Sequence, residues 1–213
     1  MSLGSSISQL IFPVSCFGCG AWDQGVVCPR CHERWQATNR PAPGIELAGV
    51  DAVYLLGQYA DPLLATLIRA AKYQFISAAA RSLGGLLAEI IPDRPVTTVV
   101  PIPLHRRRHR WRGYNQAGAI AQELARRHHW PYQDRLVRRQ RFTSSQTTLD
   151  RDRRFANVAD AFTITAPPPD RILLVDDVVT TGATMTAVTQ TLRARGAHWI
   201  GVAAIAHGST TDS

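Results

Sequence analysis

Residues 172–184 read ILLVDDVVTTGAT. Four uninterrupted apolar residues fit a strand buried on both faces, which points to a parallel sheet covered by helices. Two carboxylates, Asp176 and Asp177, follow at its carboxyl end, where open parallel sheets bind their ligands. Thr180, Thr181, Gly182, Ala183 and Thr184 then open a helical pattern, TMTAVTQTLRAR. A helix N-terminus offers unpaired N–H groups and the positive end of a dipole. Gly182 lets an anion approach the backbone, and the hydroxyls add donors. Acceptors for a vicinal diol beside a cradle for a monophosphate describe ribose 5-phosphate. The plainer account makes each threonine a helix cap and the acids a solvated turn, but it leaves the order of the pieces unexplained. Two other functional accounts fail. A Walker B strand needs a G-x-x-x-x-G-K-[ST] loop, which the sequence lacks. A phospho-receiver strand needs a downstream lysine, and the single lysine is Lys72, upstream.

The rest of the chain continues the same alternation. DAVYLLGQYA reads as a strand or strand pair. DPLLATLIRAAKY has Asp61 to cap a helix and Pro62 at its first position, with Leu63, Leu64, Leu67, Ile68 and Ala71 on one face. A second helix is expected over residues 77–91 and a strand over 97–104. YNQAGAIAQELARRHH gives another helix, with Ala117, Ile120, Ala121, Leu124 and Ala125 on one side. Residues 140–155 lack apolar periodicity and are expected to form a mobile loop. AFTIT is a short strand, and WIGVAAIA the last one. The expected fold is α/β, a twisted, mostly parallel sheet flanked by helices.

All four cysteines stand in CFGCGAWDQGVVCPRC, as Cys16, Cys19, Cys28 and Cys31. Two C-x-x-C pairs this close bring four thiolates to one tetrahedral ion, and zinc is the simplest occupant. Four thiolates leave no open position, so the role is structural. CPRCH also matches a haem-attachment pattern through His32, but that needs export. A disulfide framework needs an oxidising compartment, and iron held by the same four thiolates is chemically possible. The N-terminus has no basic region before its apolar run, and no apolar stretch is long enough to span a membrane. A cytoplasmic protein without membrane insertion is expected, divided into a zinc module over residues 1–38, a linker over 39–50 and the main domain over 51–213.

Charge is concentrated in the middle. Net charge is +8, yet residues 105–154 hold fourteen arginines against four acids. Such asymmetry suits a phosphate-rich partner, although a solvated basic face explains any single arginine equally well.

ILLVDDVVTTGAT resembles the ribose-phosphate signature of type I phosphoribosyltransferases. Together with FPVSCFGCG, VVPIPLHRRRHRWRGYNQA and RRQRFTSSQTTLDRDRRFANVADAF, it makes nearly the whole chain similar to the ComF/GntX family. The resemblance implies that Asp176 and Asp177 bind the ribose hydroxyls of phosphoribosyl pyrophosphate (PRPP), with residues 180–184 on the 5-phosphate. It implies a pyrophosphate loop at about residues 104–113, a flexible hood at about 141–157, and magnesium bridging pyrophosphate and ribose. Arg106, Arg112 and Arg154 are the arginines expected on the ligand. No nucleobase-binding hood is recognisable. The family link implies DNA uptake and utilisation alongside a competence helicase and a DNA-processing protein. Two functions stand side by side: a phosphoribosyltransferase, or an adaptor that binds single-stranded DNA through the basic middle, with Trp111 and Tyr114 as stacking faces.

Overall fold

A computed structural model describes residues 15–22, 24–39, 44–74, 76–93, 96, 98–104, 110–111, 113–139 and 161–208. Helix α1 (Pro29–Thr38) precedes β1 (Ala52–Gln58), α2 (Pro62–Tyr73), α3 (Ser77–Ile90), β2 (Thr98–Pro101) and α4 (Gln116–His128). Then come β3 (Val137–Arg139), β4 (Phe162–Ile164), β5 (Arg171–Val179), α5 (Ala183–Arg193) and β6 (Trp199–His207). Four strands form a parallel sheet in the order β1-β6-β5-β2. None of the helices among the described residues is long and apolar enough to cross a membrane.

Alternation along β5 feeds two cores. Leu173 and Val175 pack with Leu67, Leu83 and Leu124 of α2, α3 and α4. Ile172 and Leu174 pack on the other face with Val188 and Leu192 of α5 and with Phe162 and Ile164. The continuous apolar run is what a strand buried on both faces requires. Asp61 caps α2 as expected, its Oδ1 accepting from the Leu64 amide at 2.9 Å, with Pro62 at the first position.

The structure departs from the sequence expectations in three places. The acid pair does not follow the strand; it lies within it, because β5 keeps pairing with β6 as far as Val179, opposite His207. The AFTIT strand is not part of the parallel sheet: β4 pairs antiparallel with β3, a three-residue strand that carried no apolar pattern. Residues 44–50 of the expected linker pack closely. Ile45, Leu47 and Val50 lie on the α5-side core, and Arg193 donates to the Gly49 carbonyl at 3.0 Å.

The cysteine module is docked on the main body. Val26 and Trp35 are buried in the core shared with α2, α3 and α4. Glu89 of α3 accepts from Gln36 at 2.9 Å and lies 3.0 Å from His32.

Candidate ribose-phosphate site and cysteine cluster

Successive residues of a strand point to opposite faces, and β5 uses this to separate its two acids. Asp177 points towards α2 and α4. Its Oδ2 lies 3.0 Å from Lys72 Nζ and accepts from Gln116 Nε2 at 3.0 Å, while Oδ1 accepts from the Val178 amide at 2.8 Å. The pair is well shielded, with side-chain exposures of 20% for Lys72 and 8% for Asp177. Burial opposes the Lys72 ammonium, but Asp177 and, behind it, Asp176 outweigh that and raise its pKa above the ordinary lysine value.

Asp176 takes the other face. It lines a small cavity of about 50 Å³ with Val178, Val179, residues 180–184 and Met185. Its Oδ1 accepts from the Asp177 amide at 2.8 Å. Burial, and then the neighbouring charge of Asp177, push its carboxyl up to about 8, against the pull of Lys72. Two adjacent acids thus have different partners.

The turn into α5 completes the cavity. Gly182 is buried and has φ 74°, a left-handed conformation that favours glycine. A Cβ there would collide with Leu47 Cδ2, so the turn is closed from outside by a side chain of residues 44–50. No side chain caps α5, and Thr181 Oγ1 accepts from the Ala183 amide at a long 3.4 Å. Thr180 and Thr181 are exposed, and Ala183 and Thr184 half-buried. The N-terminus therefore presents amides, hydroxyls and a dipole to an anion.

Of the expected site residues, the structure brings together Asp176, Thr180, Thr181, Gly182, Ala183 and Thr184, and turns Asp177 away from them. Arg106, Arg112 and Arg154 lie outside the described residues, as does the expected hood. Lys72 and Gln116 were not anticipated. A signal for Lys72 existed: it is the one lysine beside 23 arginines, near the end of an otherwise largely apolar helix. Arg126 and Arg127, two arginines of the basic middle, are both engaged with Glu123, at 2.7 and 3.0 Å.

The four cysteines form one cluster, with ligand atoms all within 4.8 Å of one another. Cys19 and Cys28 sulfurs are 3.7 Å apart. A tetrahedral ion with metal–sulfur bonds of ~2.3 Å sets its sulfurs about 3.8 Å apart, so the donors could hold a metal ion and are consistent with zinc. Amides of Gly18 and Cys28 donate to Cys16 sulfur at 3.4 and 3.3 Å. A hydrogen bond from the Ala21 backbone amide draws the Cys19 thiol down to about 6, whereas burial and the neighbouring thiols push Cys31 up to about 12. Four adjacent thiols ionise together only when a cation neutralises them.

A family model described as "Phosphoribosyl transferase domain" matches residues 112–212. Competence protein F of Haemophilus influenzae is 33% identical over 163 residues, covering 71% of each chain. DNA utilization protein YhgH of Escherichia coli K12 is 34% identical over 192 residues, covering 85% of this chain and 79% of that one. Its counterpart in Salmonella typhi is 31% identical with the same coverage. On these similarities, and with its cysteine cluster joined to a phosphoribosyl transferase domain, the chain belongs to the ComF/GntX family.

Proposed function

We propose that this protein binds PRPP, or another ribose 5-phosphate, at the carboxyl end of β5, and that it does so in the handling of DNA. One observation carries the reading: Asp176 and the uncapped N-terminus of α5 line the same cavity. On this reading Asp176 accepts hydroxyls of the ribose. Residues 180–184 receive the 5-phosphate on amides and hydroxyls. Asp177 acts from behind, through its charge. Arg106, Arg112 and Arg154 stabilise the pyrophosphate. Magnesium, bound with PRPP, would neutralise the pyrophosphate as it departs. Displacement at the anomeric carbon builds positive charge on the sugar, and a nearby carboxylate stabilises it. Zinc in the cysteine cluster holds the N-terminal module to α2 and α3.

The DNA context comes from relatives named for competence and DNA utilisation. A second reading, an adaptor that binds single-stranded DNA, draws on Trp111, which is 64% exposed within the basic middle. The two separate by salt: DNA affinity through about five phosphates falls with a log–log slope near −3.5, whereas PRPP affinity depends on magnesium and Asp176.

A thermal-shift titration tests the main reading. PRPP with magnesium at about 100 times its Kd stabilises the folded chain by about 2.7 kcal/mol, and magnesium alone does not. Equal melting temperatures with and without PRPP, at millimolar ligand, contradict it.

A further inference from the structure

Lys72 comes from a helix far from the signature segment, yet its ammonium is 3.0 Å from Asp177 Oδ2. The end of α2 is fastened there a second time. Tyr114 Oη donates to the Ala71 carbonyl at 2.5 Å, tying α2 to the segment that leads into α4. Gln116, at the start of α4, donates to the same carboxylate oxygen as Lys72. Asp177 therefore has donors on both oxygens, and its direction is set by α2 and α4 together. Asp176 accepts from the neighbouring amide, and it is the acid on the cavity.

A shielded ion pair adds little net stability, because desolvation offsets the attraction. What this pair supplies is a fixed charge in a fixed direction. We propose that Lys72 is a positioning residue of the ribose-phosphate site: its ammonium holds Asp177 away from the cavity, leaving Asp176 as the carboxylate that receives the ligand's hydroxyls. The proposal rests on the PRPP reading and assigns unequal roles to the two acids within it. The groups facing the pair are Lys72 and Tyr73 from α2, the neutral Gln116 amide from α4, Ala204 of β6 opposite Asp176, and the hydroxyls of the turn into α5. The Lys72 charge favours ionisation of Asp176.

The test combines PRPP affinity across pH with a carboxyl ¹³C NMR titration of the aspartates. Lys72→Met weakens PRPP binding roughly ten- to a hundredfold at pH 7, and the loss shrinks as the pH is raised, because the acid pair then ionises without its ammonium. Lys72→Arg, which keeps the charge, binds within a few-fold of the native chain. Lys72→Met/Asp177→Asn replaces the ion pair by a neutral one and keeps the test available if Lys72→Met alone does not fold. Because Lys72 acts through Asp177, the double variant binds no more weakly than Asp177→Asn alone. Native affinity and pH profile in Lys72→Met, or additive effects of the two substitutions, overturn the proposal. If the native chain takes no PRPP, the ribose-phosphate reading falls, and the ligand-free NMR titration then decides the Lys72 claim. An acid-pair midpoint unmoved by Lys72→Met overturns that claim as well.

Discussion

Asp176 and Asp177 are adjacent in sequence and opposite in environment. Asp177→Asn leaves the shielded Lys72 ammonium facing an amide, and breaking such a pair costs about 3 kcal/mol. Asp176→Asn removes a carboxylate whose charged form is penalised by burial and by Asp177. The expectation is a clear drop in the melting temperature of Asp177→Asn and none in that of Asp176→Asn, read by calorimetric unfolding. The raised Asp176 carboxyl has a further consequence with a defined sign. Between about pH 4 and about pH 8 the folded chain keeps a proton that the unfolded chain has lost. Stability from this group is therefore present at low pH and lost as the pH rises through about 8. Hydroxyls that donate to Asp176 favour its ionised form, so PRPP binding at pH 7 releases up to about one proton. Titration in buffers of different ionisation enthalpy measures that release, and identical heats in every buffer contradict it.

At the scale of elements, the turn between β5 and α5 combines a left-handed glycine, an uncapped helix and a covering leucine. Gly182→Val meets both the positive φ and Leu47, and it loses about 1–3 kcal/mol of stability together with the anion cradle. Adding Leu47→Ala relieves the collision and recovers part of the stability, while PRPP binding stays impaired; urea unfolding of the single and double variants shows whether it does. Much of this turn was legible in the sequence, because an apolar run, an acid pair, a Thr/Gly cluster and a helical pattern are all local signals. The direction of each acid was not, since it depends on how far β5 goes on pairing with β6, a non-local property. Strand β3 was hidden for a similar reason: Val137 alone is buried of its three residues, and only β4 makes it a strand. Lys72 was invisible as a partner because it stands 105 positions before Asp177 in the chain.

For the whole molecule, the cysteine module and the sheet domain share a core. Trp35 and Val26 are buried against α2 and α3, and Glu89 ties α3 to His32 and Gln36. Cys28→Ser should therefore do more than release the metal. It loosens α1 from α2 and α3 and lowers the melting temperature of the main domain, though the parallel sheet keeps its own apolar cores. Elemental analysis is expected to give one zinc per chain in the native protein and none in the variant. Substoichiometric zinc, or iron in its place, contradicts that assignment. The linkage also places the cysteine module against α2, the helix that brings Lys72 to the acid pair, so if the cluster holds zinc its removal is expected to weaken PRPP binding without touching the cavity.

The central claim is that Asp176 and the α5 N-terminus form one ribose-phosphate site. It is tested most directly by titrating PRPP with magnesium into the native chain and into Asp176→Asn, a variant expected to keep its fold. The account predicts saturable binding of one PRPP per native chain and a loss of about 1.5–3 kcal/mol in the variant. Equal affinity in both proteins, or no binding to the native chain, would contradict it.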